Sequence, residues 1–238
     1  YLLRWDSSFA FFDQREMWAL EVWQDKTPEN VQAVLDDSIP IGGSQHQKVV
    51  LIDNEVVFSG GMDVALHRWD TRDHNIDEPG RNGPDGEYGP LHDVQIVSSG
   101  PLVKHFAELV HWRWNRIADN PIESIPFPET DTEGLPRCWP EGVKPCFTNA
   151  DCAIARTIPE MEDAELVQEV RHMLLDLIGS ANKFIYIENQ FATREEIAYA
   201  INKRMKECPE LHVVIVSSYD PKGLFESEAY WASRITFK

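Results

Sequence analysis

The segment Gly42–Asp63, GGSQHQKVVLIDNEVVFSGGMD, decides how this chain is read. Val49 to Ile52 is an apolar strand-like run, Asn54-Glu55 supplies a turn, and Val56 to Phe58 returns as a second strand. In an extended segment alternate side chains share a face, so His46 and Lys48 project the same way from the head of the first strand. An imidazole and an ammonium are thereby aimed at one spot. Gly60-Gly61 then lets the backbone come close to whatever that pair faces. A neutral imidazole is a nucleophile or proton carrier near neutral pH, and a neighbouring ammonium holds an anionic oxygen, so the pair suits phosphate chemistry. A lone His beside a Lys at a strand end is also an ordinary solvated edge, and it is the spacing of the surrounding residues that distinguishes this one.

That spacing runs His46-x-Lys48, four residues, Asp53, six residues, then Gly60-Gly61-x-Asp63, followed by Arg68-Trp69-Asp70. It resembles the signature of the phospholipase D superfamily. Leu91-His92-Asp93-Val94, Ser99-Gly100-Pro101 and a helix closing on Arg113-Trp114-Asn115 look like the stretch after the first signature in phosphatidylcholine-type phospholipases D. Ile185-Tyr186-Ile187-Glu188-Asn189-Gln190-Phe191 is similar to the segment that opens the second half of those enzymes. The resemblance implies an α/β, phospholipase D-like fold, with mixed or mainly parallel sheets flanked by helices. It also implies two pseudo-repeated lobes that each bring one signature to a shared site. No second His-x-Lys occurs in the chain, so the second lobe is expected to be incomplete and the chain to be an inactive piece of such an enzyme.

The activity implied is that of a phosphodiesterase or transphosphatidylase on glycerophospholipids. By the family's mechanism one His forms a phosphohistidine, a second protonates the departing alcohol, and water or another alcohol then takes the phosphatidyl group. His46 is assigned as the nucleophile and Lys48 as the ligand of the non-bridging oxygens. A nucleophilic imidazole needs an acceptor on its other ring nitrogen, and Asp93 stands where similar enzymes place that carboxylate. Asp53 lies five residues beyond Lys48; at ~3.3 Å per residue it is too far along the strand to touch His46. It is expected to tie down the turn, although the signature counts it among its catalytic positions. Gly60, Gly61 and Asp63 match substrate-facing positions. Many superfamily members have Ser and Asn in place of Gly61 and Asp63, and an ionised Asp cannot donate to phosphate, which counts against Asp63 as a direct ligand. Glu188, Asn189 and Gln190 emerge at the carboxyl end of a strand, where α/β sheets place ligand groups, and are expected around the site; a strand-end cap is the alternative. Competing readings are a cardiolipin synthase-like phosphatidyltransferase, a non-catalytic fragment, and a single-signature nuclease completed by dimerisation.

Net charge of −18, from 22 Lys and Arg against 40 Asp and Glu, repels a nucleic-acid backbone and speaks against the nuclease. The expected partners are the phospholipid substrate, a membrane contacted peripherally, and the second half of the same enzyme. The chemistry requires no cofactor, and calcium or magnesium is left open as a bridge between an acidic chain and a lipid surface. No apolar run approaches the ~20 residues of a spanning helix, which favours a cytoplasmic or peripheral-membrane location. Cys138, Cys146, Cys152 and Cys208 show no C-x-x-C spacing and no nearby His pair, so no metal site is expected and reduced thiols are favoured.

Along the chain, 1–118 reads as a first lobe carrying the signature, 119–150 with its six prolines as a linker, and 151–238 as the start of a second lobe. A helix is expected over 6–25 behind the cap Asp6-Ser7-Ser8, and a strand at Val31 to Leu35. Thr71 to Pro90 reads as a surface loop with an exposed His74, either functional or a tolerated insertion. Val94 to Val97 reads as a strand. Pro101 to Ile117 reads as a helix whose Leu102, Phe106, Leu109, Val110 and Trp114 are core and whose His105 and His111, with Lys104 and Arg113 near them, are surface or core-edge residues. Beyond the linker the pattern predicts a strand at Cys152 to Arg156 and a helix from Asp163 to Ile178 stopped by Gly179. A strand at Lys183 to Glu188, a helix at Thr193 to Glu207, a strand at Leu211 to Ser217 and a helix from near Pro221 follow.

Overall fold

Extended, β-branched residues and one tight turn build the part of the fold that carries the signature. The computed structural model describes residues 1–5, 28–40, 43–122, 126–127, 134–190 and 193–217. The helices expected over 6–25 and from Pro221 lie outside them. Strands β1 (Leu2–Trp5) and β2 (Ala33–Asp36) pair in parallel. Strands β3 (Lys48–Ile52) and β4 (Val56–Gly60) form the expected hairpin, with Lys48 opposite Gly60 and Ile52 opposite Val56. In its turn the Glu55 N–H donates to the Ile52 carbonyl at 2.9 Å, and Asp53 and Asn54 take φ of 51° and 53°. Asp and Asn tolerate that left-handed region better than other residues with a Cβ, and it matches the twist of a hairpin.

Residues 71–90 correct the expectation of a plain surface loop. They contain a two-rung hairpin, β5 (Asn82–Gly83) with β6 (Gly86–Glu87), folded around Arg81, which is 2% exposed. Arg81 donates to the Tyr88 carbonyl at 3.2 Å, to Asp70 Oδ1 at 2.8 Å, and to the carbonyls of Asn75 and Ile76. Asp70 also accepts the Leu91 N–H at 2.8 Å and lies 3.0 Å from His74 Nδ1. The segment has few apolar residues because an ion pair, not a hydrophobic cluster, is its core. Gly80 and Gly83 allow it to lie against the rings of Trp69 and His67, which a Cβ at either position would overlap.

Strand β7 (Gln95–Ser99) completes an antiparallel three-stranded sheet, β3-β4-β7. The helix α1 (Leu102–Ile117) crosses it and buries Val103, Phe106, Ala107, Leu109 and Trp114. Val57, Val103 and Phe106 form the core, with Val49, Leu51, Leu102 and Ile154 packed around them. Complete burial of each such side chain is worth ~1.5–3 kcal/mol, enough to pin the sheet under the helix. The Trp114 indole N–H donates to the Asn120 carbonyl at 2.8 Å and Asn115 Oδ1 accepts the Ile122 N–H at 2.8 Å, which ties down the chain leaving the helix.

The chain divides into two units, Tyr1–Ile154 and Ala155–Lys238. In the second, β8 (Thr157–Ile158) pairs antiparallel with β9 (Val167–Gln168), and α2 (Glu169–Ser180) follows directly. Two expectations are corrected here. Cys152 to Arg156 forms no ladder, because the Arg156 N–H and guanidinium both go to the Glu169 carboxylate, at 2.9, 2.8 and 2.7 Å. The helix begins at Glu169, not Asp163, since Val167–Gln168 is committed to β9, and it runs through Gly179 to Ser180. Strand β10 (Phe184–Glu188), helix α3 (Glu195–Glu207) and strand β11 (His212–Val216) make a parallel β-α-β unit. Arg171 of α2 and Glu196 of α3 form an ion pair, with Nε 2.8 Å from Oε2. The protein is therefore α/β with small sheets, and the expectation of mixed or mainly parallel sheets is corrected among the described residues: the sheet bearing the signature is antiparallel, as are β5-β6 and β8-β9, while the parallel pairs are β1-β2 and β10-β11, each a separate sheet. Among the described residues no helix is long and apolar enough to cross a membrane.

Candidate active site

The strand that carries Lys48 has two faces with separate tasks. Val49 and Leu51 turn toward the core, and by alternation Gln45 and Gln47 share their side while His46 and Lys48 take the other. The inward pair finds buried polar partners. Gln45 Nε2 donates to Asp36 Oδ2 at 2.9 Å, and Gln47 Oε1 accepts from Arg113 at 3.2 Å. Asp36 is 1% exposed, also accepts the Ser38 N–H and hydroxyl at 3.1 and 2.6 Å, and lies 3.4 Å from the Arg113 guanidinium. Both neighbours of His46 are thus clamped by an ion pair joining β2 to α1. The Arg113 side chain is 12% exposed, and its burial lowers its pKa against the raising influence of Asp36. The sequence carried a sign of this clamp: any alternation that aims His46 and Lys48 outward aims two amides inward, where they need partners.

On the outer side the Lys48 ammonium donates to the His46 carbonyl at 3.0 Å and pairs with Asp63 Oδ1 at 3.1 Å. Its register partner is Gly60, so no side chain stands between the ammonium and the segment beyond β4. Asp63 Oδ2 in turn lies 3.4 Å from Arg68. Burial pushes the Asp63 carboxyl up, but the hydrogen bond and charge of Lys48, reinforced by Arg68, outweigh it and hold the group below the usual carboxylate range. His46 is open to solvent, yet its covered part is desolvated enough to lower its pKa below 6.5. The charge of Lys48 lowers it further, and the Asp63 and Asp93 carboxylates pull the other way. The imidazole is therefore neutral at physiological pH, the state in which a ring nitrogen carries a free lone pair.

Lys48, Asp63 and Asp93 all lie within electrostatic reach of His46, and Lys48 touches Asp63. Asp93 Oδ1 accepts the Val94 N–H at 2.7 Å, and no hydrogen bond joins Asp93 to His46. Gly61 allows this arrangement, since a Cβ there would overlap Asp93 Oδ1, and a Cβ on Gly60 would overlap the Val94 carbonyl. Asp53 is at the hairpin turn, at the other end of β3 from His46. Glu188, Asn189 and Gln190 belong to the second unit, where the Asn189 N–H donates to the Val216 carbonyl at 3.1 Å and Ser217 donates to the Gln190 carbonyl at 3.1 Å. Glu188 Oε2 accepts from the Tyr186 hydroxyl at 3.1 Å. His74 is part-buried and stacks on His92 with centroids 4.9 Å apart, in addition to its contact with Asp70. Among the described residues no three His, Cys, Asp or Glu side chains converge as a metal site would.

An α/β chain with a neutral imidazole just before a strand and a fixed ammonium at its head is equipped to handle phosphate oxygens, and comparison with known proteins finds similarity to phospholipases D. The chain is 28% identical over 205 residues to phospholipase D A of Dictyostelium discoideum, covering 71% of this chain and 15% of that protein. It is 31% identical over 114 residues to phospholipase D zeta 1 of Arabidopsis thaliana, covering 35% of this chain and 10% of that one. Against human phospholipase D1 the identity is 36% over 88 residues, or 35% of this chain and 7% of the human protein. No family model matches the chain. These partial matches, at modest identity, support membership of the phospholipase D superfamily. The chain spans at most about a seventh of the length of these relatives.

Proposed function

We propose that this chain supplies the first half of a site that hydrolyses or exchanges the headgroup ester of glycerophospholipids. The observation that carries the reading is the convergence of His46, Lys48, Asp63 and Asp93 around one strand end, with His46 neutral and Lys48 held in place. In this reading a ring nitrogen of His46 attacks phosphorus, forming an N–P bond as the P–O bond to the departing alcohol breaks. Lys48 neutralises charge on the non-bridging oxygens during that step. A second imidazole, from a second signature outside these 238 residues, delivers the proton to the alkoxide. It then takes one from the water or alcohol that displaces His46 from phosphorus. Asp93 orients His46: one of its oxygens is engaged by Val94, and the other serves the imidazole once substrate closes the site. Asp53 acts through the turn, by holding the register that aims Lys48.

The test compares this chain with the same chain extended along its own reading frame, each assayed for choline release from phosphatidylcholine vesicles. Release is expected from the extended protein alone, with loss of at least ~10³-fold in His46→Ala, the scale on which removal of an essential group registers. Release by the 238-residue chain itself, or by the His46→Ala protein, overturns the proposal.

A further inference from the structure

Two cations and two carboxylates surround the outer face of β3. Lys48 touches Asp63, Asp63 touches Arg68, and Asp93 lies beside Gly61 within reach of His46. With His46 neutral these four groups sum formally to zero. A site built only to attract phosphate would keep its cations and omit the carboxylates. Here one carboxylate sits directly on the ammonium that would bind phosphate, and ionised Asp63 has no proton to donate to a phosphoryl oxygen. Asp63 must therefore do something other than bind the ligand.

We propose that Asp63 makes this half-site selective for singly charged phosphodiesters by repelling doubly charged phosphomonoesters from Lys48 and Arg68. The inference rests on the reading of His46 and Lys48 as a phosphate site. Coulomb energy is linear in ligand charge, so a fixed negative group penalises a dianion twice as much as a monoanion in the same position. The discrimination is useful to an enzyme whose substrate is a diester in a cell rich in phosphomonoesters. Asp63 is a positioning and selecting residue in this account, since it acts through Lys48 and Arg68 and not on the reacting atoms. Arg68, 3.4 Å from Asp63 and partly exposed, is the second cation available when Asp63 is neutralised.

The experiment titrates the 238-residue chain at pH 8 with dimethyl phosphate, which carries one charge, and with methyl phosphate, which carries two, following the His46 imidazole resonances by NMR. In Asp63→Asn the dimethyl phosphate affinity is expected to rise by some factor and the methyl phosphate affinity by the square of that factor, about three-fold and about ten-fold. Asp63→Glu, which keeps the charge, is expected to restore the wild-type ratio of affinities. An unchanged ratio in Asp63→Asn, or weaker binding of both ligands, overturns the proposal, the latter by showing that Asp63 only holds Lys48 in place. Lys48→Met tests the underlying reading separately. If it leaves dimethyl phosphate binding untouched, or if no protein in the set binds either ligand, His46 and Lys48 are not a phosphate site.

Discussion

The clamp behind His46 yields a prediction whose size follows from its contacts. Asp36→Asn preserves the shape of a residue that is 1% exposed but removes the charge facing Arg113. The new amide keeps one oxygen for the Ser38 N–H and hydroxyl, while its nitrogen is turned on Gln45 Nε2 and the Arg113 guanidinium, both of which are donors. A charge-assisted hydrogen bond to Gln45 is lost, and a largely buried guanidinium is left without its counter-ion. Breaking a buried pair in this way costs about 3–5 kcal/mol, against a typical domain stability of about 5–15 kcal/mol. With a urea dependence of about 2.5 kcal/mol per M, the unfolding midpoint should fall by more than ~1 M. The local effect is as diagnostic as the global one. Gln45 and Gln47 flank His46, so the His46 and Lys48 resonances should shift while those of α3, in the other unit, stay in place. A midpoint change equivalent to less than ~0.5 kcal/mol, or a His46 environment that does not move, would refute the reasoning.

Arg81→Met should cost at least ~3 kcal/mol in chemical denaturation and open 71–90 to limited proteolysis, because Asp70 then loses its buried counter-ion; full protection of that segment would rule the ion-pair core out. Gly60→Ala should lower the melting temperature more than Gly61→Ala, since the first Cβ meets the Val94 backbone and the second meets the movable carboxylate of Asp93, with the overpacked site losing roughly 1–3 kcal/mol. For pH, the folded-state pKa of His46 lies below 6.5, so its contribution to stability is fully present above 6.5 and is lost as pH falls through the folded value. Lys48 is one cause of that lowering, so Lys48→Met should move the His46 NMR titration midpoint upward; a downward move contradicts the assigned geometry.

The hairpin was legible because its information is local. The apolar run Val49 to Ile52, a turn of residues that accept left-handed backbone and the Gly60-Gly61 pair each act within a few residues, and β3, β4 and their turn match them. The expected strand at Val94 to Val97 and helix at Pro101 to Ile117 likewise appear within a residue or two, as Gln95–Ser99 and Leu102–Ile117. What the pattern did not convey depends on partners distant in sequence. The pair of Arg113 with Asp36 was not legible because nothing near Arg113 in the chain announces a partner 77 residues away. Residues 71–90 read only as a surface loop because a core made of one guanidinium has no hydrophobic periodicity to read. The start of α2 moved from Asp163 to Glu169 because β8 competes for Val167–Gln168, a choice made by pairing and not by propensity. At the site, composition indicated an imidazole beside an ammonium, while the pairing of Lys48 with Asp63 emerged only from the open register position at Gly60.

The central claim is that His46 and Lys48 act together on a lipid phosphodiester, and its most direct measurement is covalent trapping. The extended protein, mixed with phosphatidylcholine labelled in the phosphate and quenched in alkali, should retain an acid-labile label that peptide mapping places on His46, and Lys48→Met should suppress it. Label recovered undiminished from His46→Asn, or found on another residue, contradicts the account.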